Sequence, residues 1–401
     1  MNDEIKRKLT LLGQIYTPSY PIEIQALFSG RSKQFQNVVS VISQKGKQLI
    51  IFGDRGVGKT SFANIIKIAI ENPSLQVGKV SCNSDDTFES LWHNVLSKFS
   101  YNYEEAQQRI GFGMDVESTD RSLIFSNLYS PPQLNIPRLL EIFSLLPNSV
   151  IILDEFDRLD KEKFNHLIFT DFIKALSDTL PYVTIIIVGV SEDVASLIQG
   201  HESIERNLGQ THLQAMSPDE ISMIIKKGEE PLSLQFDSDV IEKIIELSSG
   251  YPHFTHSLCF YACTAAIWED ATTVNMGYLN LGIQQTIDNI HESLRNSYRL
   301  ATLATKKNIF QDVLYAASIV ETDEYGYFQA IDLEPILSRL LDQEIKVNAF
   351  TFHLGKFCSP ERGEIFKVTG SSHRHRYKFK NPLMKAYVRL KIELDTTNSL
   401  G

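Results

Sequence analysis

Ile50-Ile51-Phe52-Gly53-Asp54-Arg55-Gly56-Val57-Gly58-Lys59-Thr60-Ser61 reads as a buried strand, a glycine-rich loop and the first turn of a helix. Its spacing is G-x-x-x-x-G-K-[ST], a phosphate-binding loop. Gly53, Gly56 and Gly58 let the backbone turn so that successive N–H groups face phosphate oxygens. The helix that follows points its positive end at the same anion. Lys59 supplies a mobile charge for the β- and γ-phosphates, and the Thr60 hydroxyl is the expected Mg²⁺ ligand. Gly53 to Ser61 is therefore the predicted nucleotide cradle. Asp54 and Arg55 inside it have no role that the motif explains.

Val150-Ile151-Ile152-Leu153-Asp154-Glu155 is the second decisive stretch. The apolar run buries a strand and leaves Asp154 at its carboxyl end, where a carboxylate can orient the water shell of Mg²⁺. Glu155, one step further, is placed to polarise a water in line with a γ-phosphate. Loop and carboxylates together predict hydrolysis of a nucleoside triphosphate.

The chain has 401 residues, a net charge of −10 and 43% apolar residues. That length suits two or three domains, each able to bury a core. The acidic balance argues against a surface coated by nucleic acid, though not against a local basic site. No apolar run is long enough to cross a bilayer, and the charged N-terminus lacks a signal-peptide core, so a cytoplasmic protein without membrane contact is expected. Cys82, Cys259, Cys263 and Cys358 show no disulfide framework. His256, Cys259 and Cys263 share a helical spacing that invites a metal, but their neighbours read as packed core and no fourth ligand is evident.

Along the chain, residues 1–21 read as a short helix and a Pro-punctuated linker. From 22 to 216 strands alternate with helices: Gln48–Phe52, Val77–Cys82, Ser149–Leu153, Thr184–Val190 and Thr211–Ala215 are the expected strands. This predicts an α/β doubly wound parallel sheet with its ligand at the strands' carboxyl ends. Residues 100–133 are polar and read as an insertion or loop. From Ser217 to 299 only helices are expected, the last spanning Tyr278 to Arg295, which makes a small lid. Residues 300–395 show three helices and a β-hairpin, the pattern of a winged helix-turn-helix.

Taken together, these motifs resemble the AAA+ branch of P-loop ATPases, and within it the bacterial Orc1/Cdc6-like ATPases, a clade near the signalling STAND ATPases. The resemblance implies ATP and Mg²⁺ as ligands and a homo-oligomer or partner protein. It also implies roles by position. Gly30-Arg31 matches an element lying by the adenine. Ser191 stands at the sensor-1 position; the alternative is a strand-ending turn. Arg206 stands where the family carries an arginine finger reaching a neighbouring subunit; the alternative is a salt bridge to Glu202 or Glu205. In Gly250-Tyr251-Pro252-His253 the family's lid arginine is replaced by His253, while Gly-x-Pro resembles the STAND form in which Pro252 borders the adenine. A histidine would clamp the γ-phosphate less firmly than arginine. That implies slow turnover and a switch; the alternative for His253 is a helix cap or core residue.

One basic patch remains. Arg374, Arg376, Lys378 and Lys380, interleaved with Tyr377 and Phe379, would form the wing of the winged helix and could lie along the phosphates of double-stranded DNA. The Val347–Phe357 helix before it offers only Asn348, His353 and Lys356 for reading bases, so protein contact is the alternative.

Overall fold

The structure, a computed structural model, describes residues 3–18, 30–106, 118–146, 148–190, 205–303, 309–371 and 374–400. The strands of the N-terminal half are β1 (Gln48–Phe52), β2 (Leu75–Ser81), β3 (Ser100–Ala106), β4 (Ser118–Ile124), β5 (Asn148–Asp154), β6 (Val183–Gly189) and β7 (Leu208–His212). Five of them form one sheet in the order β2-β5-β6-β1-β7, with every neighbour parallel. Alternate residues feed two cores, as a pleated strand requires. Leu49, Ile51, Val150, Ile152, Ile186 and Val188 face one; Ile50, Ile151, Leu153, Ile185 and Ile187 face the other. Both faces are covered by helices, so the strands read as unbroken apolar runs.

The helices of this half are α1 (Asp3–Ile15), α2 (Ser32–Ile42), α3 (Lys59–Ile70), α4 (Phe88–Leu96), α5 (Ile136–Ser144) and α6 (His166–Thr179). The register places Phe52 beside Gly189 and Ser81 beside Asp154. The carboxyl ends of β1, β5 and β6 therefore open at one edge, where the loop begins. Residues 100–106 and 118–124, expected as loop, pair antiparallel from Ser100 with Ile124 to Ala106 with Ser118. The last strand of the sheet ends at His212 rather than Ala215, because from Leu213 the chain crosses the start of the phosphate loop.

The lid holds α7 (Pro218–Lys226), α8 (Glu229–Leu232), α9 (Ser238–Ser248), α10 (Pro252–Trp268), α11 (Met276–Asp288) and α12 (Glu292–Thr302). The single helix expected over Tyr278–Arg295 is two. Arg295 donates to the carbonyls of Ile287 and Asp288, closing α11 from the side. A short parallel pair, β8 (Gln235–Phe236) and β9 (Thr273–Val274), ties the lid across itself.

The C-terminal unit has α13 (Phe310–Ile319), α14 (Glu334–Leu340), α15 (Val347–Phe357) and a three-stranded antiparallel sheet of β10 (Phe328–Gln329), β11 (Phe366–Thr369) and β12 (Arg376–Phe379), ordered β10-β12-β11. A final helix, α16 (Leu383–Leu400), was not anticipated. Asn381 starts it by accepting from the Leu383 N–H at 3.1 Å, a capping role that its neighbour Pro382 disguised as a chain ending. One core runs from the sheet through the lid into this unit. Arg389 pins the seam: it donates to Ser318 O at 2.6 and 3.0 Å and to Glu246 O at 2.7 Å.

Arg389→Met keeps the stem and removes these donors. It should lower unfolding free energy by about 2–3 kcal/mol, since hydrogen bonds to a charged group are each of that order and the carbonyls are left unpaired. Urea titration measures it; a loss near zero would mean that the seam is held by apolar packing alone.

Candidate nucleotide site

The loop is built by close approach. A Cβ on Gly53 would lie 2.1 Å from the Leu213 carbonyl oxygen, so only glycine lets the chain leave β1 here. Gly58 has φ 91 and opens α3 from the left-handed region, with Lys59 as the first helical residue. The Lys59 ammonium donates to the carbonyls of Gly53 at 3.0 Å and Asp54 at 2.8 Å, across the mouth of the loop. Burial lowers its pKa to about 8, against the pull of Asp157, Asp54 and Asp154. An anionic phosphate would restore its charge.

Asp154 is 1% exposed. Its Oδ1 accepts from the Glu155 N–H at 2.9 Å and lies 3.5 Å from Thr60 Oγ1. Lys79 Nζ sits 2.9 Å from Oδ2, a charge pair off the line of a hydrogen bond, so Oδ2 accepts none. A hydroxyl beside a carboxylate with a free lone pair is the hard-oxygen donor set that Mg²⁺ takes. Thr60 and Asp154 therefore fit that ion. Lys79 was missed in the sequence, although a lysine inside the buried strand Val77-Gly78-Lys79-Val80 demands a partner.

Glu155 has φ 55, uncommon for a non-glycine residue, which swings it out of the strand line. Its carboxylate accepts from Arg158 at 2.7 Å, and both side chains are roughly half exposed, so the pair contributes little. Asp157 Oδ1 accepts from the Val190 N–H at 2.7 Å, joining the ends of β5 and β6. Ser191 lies outside the described residues, but Val190 before it lines the cleft.

Arg31, 3% exposed, braces the loop and borders the cleft. It donates to Val57 O at 3.2 Å and Gln214 O at 2.5 Å, while its backbone N–H donates to Glu220 of α7 at 2.8 Å. A Cβ on Gly30 would come 2.7 Å from Glu220, so Gly30-Arg31 is seated on the lid. Burial works against the Glu220 charge, but the N–H groups of Ser217 and Arg31 outweigh it and lower its pKa.

These groups surround a cleft of about 680 Å³ between core and lid. Loop residues, Asp154 and Glu155 line it together with Thr17, Pro18, Met216, Ile224, Pro252, His253 and His256, and Pro252 lies 3.9 Å from where a Cβ on Gly58 would stand. His253 is held by the Pro18 carbonyl at 2.7 Å. Among the described residues no cluster of three potential ligands could hold a metal, and Cys259 and Cys263 are core. Arg206 is exposed at the start of β7, and Lys47 binds its carbonyl at 2.5 Å. Leu208 pairs with Gln48, so Arg206 stands at the sheet edge opposite its own phosphate loop. The Glu202 and Glu205 side chains lie outside the described residues.

The basic patch is largely committed to this protein's own acids. Arg376 pairs with Asp323 and Lys380 with Glu364. Lys378 is 4% exposed and donates to Asp54 of the phosphate loop at 2.8 Å. Arg374 is exposed. The Lys378 contact accounts for Asp54, and Leu383 of α16 covers Gly56, where a Cβ would meet it at 2.6 Å.

Asp54→Ala leaves Lys378 buried without its carboxylate and should cost about 2–3 kcal/mol, whereas Lys378→Met leaves only the more exposed Asp54 and should cost about 1 kcal/mol or less. Denaturant titration of both reports the asymmetry; equal costs would mean that Lys378 is solvated.

No curated protein matches the chain. Among solved structures, the ORC2 protein of Aeropyrum pernix in ADPNP and ADP complexes is 12% identical, with 97% of this chain and 98% of that chain covered and a TM-score of 0.52. The Walker-type ATPase paby2304 of Pyrococcus abyssi is 15% identical over 94% and 99%, with a TM-score of 0.49. Such identities bear on the fold alone. The family described as Novel STAND NTPase 1, nSTAND1, matches residues 18–314. With that match and a phosphate loop at the end of β1 in an α/β core with a helical lid, the chain belongs to the nSTAND1 family of NTPases, and its fold is of the AAA+ type.

Proposed function

We propose that this protein binds and slowly hydrolyses ATP and uses the nucleotide state as a switch on its C-terminal unit. The observation that carries the reading is the Lys378–Asp54 bond, which ties a strand of that unit directly to the phosphate loop. The loop N–H groups and Lys59 would hold the β- and γ-phosphates. Thr60 and Asp154 would hold Mg²⁺, which when bound supplies positive charge against the phosphate oxygens. Glu155, freed from Arg158, would accept a proton from the attacking water. Ser191 would hold the γ-phosphate or that water. The finger reading of Arg206 requires a second copy, because its own cleft lies at the far edge of the sheet. The inward Lys378 and the ion-paired Arg376 and Lys380 favour a protein partner over DNA for the C-terminal unit, while Arg374, Arg376 and Lys380 stand exposed. Three helices and a three-stranded sheet support reading that unit as a winged helix.

Lys59→Ala should abolish nucleotide binding. Glu155→Gln should bind ATP as the wild type does and lose turnover by about 10²–10⁴-fold. Phosphate-release and equilibrium-binding assays separate the two, and a Glu155→Gln variant with full turnover would refute the assignment.

The lysine gives a second test. With its pKa near 8 in the free loop, Lys59 is partly neutral at pH 8, and bound phosphate raises that pKa. Binding therefore takes up protons at pH 8, and affinity falls as pH rises from 7 to 9. Calorimetry in buffers of different ionisation heat measures the uptake. Proton release, or a flat affinity, would contradict it.

A further inference from the structure

We propose that Lys385 is a nucleophilic lysine, whose amine forms a reversible imine with a small, flat, apolar aldehyde held in a second cavity beside the phosphate loop. The proposal goes beyond the nucleotide reading and does not rest on it.

The cavity, of about 340 Å³, lies where core, lid and C-terminal unit meet. The phosphate loop contributes Gly53 and Asp54, the lid Ser249 and Tyr251, and the C-terminal unit the turn Thr322–Gly326, Phe379 and the start of α16. The rings of His212, Tyr251, Tyr325 and Phe379 border it, and those of His212 and Tyr325 stack with centroids 5.8 Å apart. Such walls take a planar apolar group.

Lys385 stands half-buried in the first turn of α16 and lines this cavity. The nearby carboxylates are spent elsewhere or turned to solvent: Asp54 accepts from Lys378, Asp323 pairs with Arg376, and Glu324 is exposed. Among the described residues the Lys385 ammonium has no hydrogen-bond or ion-pair partner, and its Nζ is not one of the polar atoms sealed from solvent. The charge closest to it is positive. Arg389, one turn on along the same helix face, is fixed by the carbonyls of Ser318 and Glu246. The amino end of α16 adds partial positive charge. Burial first, and then Arg389, lower the Lys385 pKa to about 8, and no carboxylate counters them. Burial also keeps His212 and Tyr251 uncharged in this range, lowering the first pKa and raising the second. An amine desolvated beside another cation is the arrangement that makes lysine a nucleophile near neutral pH.

The chemistry needs no further reagent. The amine lone pair attacks the carbonyl carbon and an N–C bond forms. Both amine hydrogens leave with the carbonyl oxygen as water, which leaves C=N, and water reverses the reaction. The adduct would lie against Gly53 and Asp54 of the phosphate loop.

Labelling of the full chain with benzaldehyde and cyanoborohydride tests this, since hydride fixes the imine as a benzylamine and peptide mass spectrometry reads each lysine. At about pH 7.5 Lys385 should be labelled about tenfold or more faster than the exposed Lys33 and Lys45. A pKa near 8 leaves about a hundredfold more free amine than an ordinary lysine has, partly offset by weaker nucleophilicity. The Lys385 rate should rise through about pH 8 and then level off. Acetaldehyde is the second reagent. Normalised to Lys33 and Lys45, benzaldehyde should be favoured at Lys385 by about tenfold or more, the gain from burying a ring. Labelling no faster than at Lys33 and Lys45, or a rate still rising at about pH 10 as for an ordinary lysine, overturns the nucleophile. Equal treatment of the two aldehydes overturns the cavity as its binding site. Either failure leaves the nucleotide reading standing.

Discussion

The short backbone run Leu213–Met216 is the constraint on which the site depends. It leaves the sheet and passes between two glycines. On one side a side chain at Gly53 would strike the Leu213 carbonyl at 2.1 Å; on the other, one at Gly250 would strike the Met216 carbonyl at 2.6 Å. Phe52 O receives the Leu213 N–H at 2.7 Å, and Gly250 O receives the Met216 N–H at 2.8 Å. The run is thus hydrogen-bonded to the start of the phosphate loop and to the start of the lid's α10. Leu213 and Met216 are buried, so their backbone groups must be paired, and the Gln214 carbonyl between them is met by Arg31. The phosphate loop and the start of the lid's α10 are set against each other by one piece of chain.

Charges in this region follow the same logic at higher stakes. A buried ion is costly unless another group meets it, and truncating one partner strands the other. Asp154 has Lys79, Lys378 has Asp54, and Arg31 has carbonyls and the Glu220 cap. Each pairing joins different elements: β5 to β2, the phosphate loop to β12, the entry segment to α7. The surface ion pair Glu155–Arg158, three residues apart on one turn, is the cheap one. The carboxylate proposed for the chemistry is therefore the one most easily released from its partner.

The sequence made the core legible because its signals are local. Strand runs, a glycine spacing and a carboxylate at a strand end need no long-range information: Gln48–Phe52 is met to the residue, three more strands lie within two residues of their expected limits, and the last shifts from Thr211–Ala215 to Leu208–His212. The parallel α/β class and the helical lid follow from that alternation. What stayed hidden depends on contacts between distant residues. Nothing near Lys378 says that it faces inward to Asp54; four cations at alternate positions read as a wing open to DNA phosphates. Asn381-Pro382 reads as an ending until the helix it caps is seen. Residues 100–106 and 118–124 are polar enough to read as loop, and their pairing is a matter of register rather than composition. Lys79 alone carried a usable signal, a charge inside a buried strand.

A ligand shifts a conformational balance only by the difference in how it binds the two states. A nucleotide spanning this cleft would touch the core at Lys59 and Asp154, the lid at Pro252 and His253, and the α1 linker at Thr17 and Pro18. Contacts to any part of a nucleotide other than its third phosphate are the same whether that phosphate is present or not, so they can anchor but cannot discriminate. Discrimination has to arise at the loop, where Asp54 is already held by Lys378 and Gly56 is covered by Leu383. Any movement of the loop that accommodates a γ-phosphate is therefore resisted or rewarded by the C-terminal unit. By linkage, a partner that bound that unit differently in two positions of the loop would change the loop's affinity for nucleotide by the same factor.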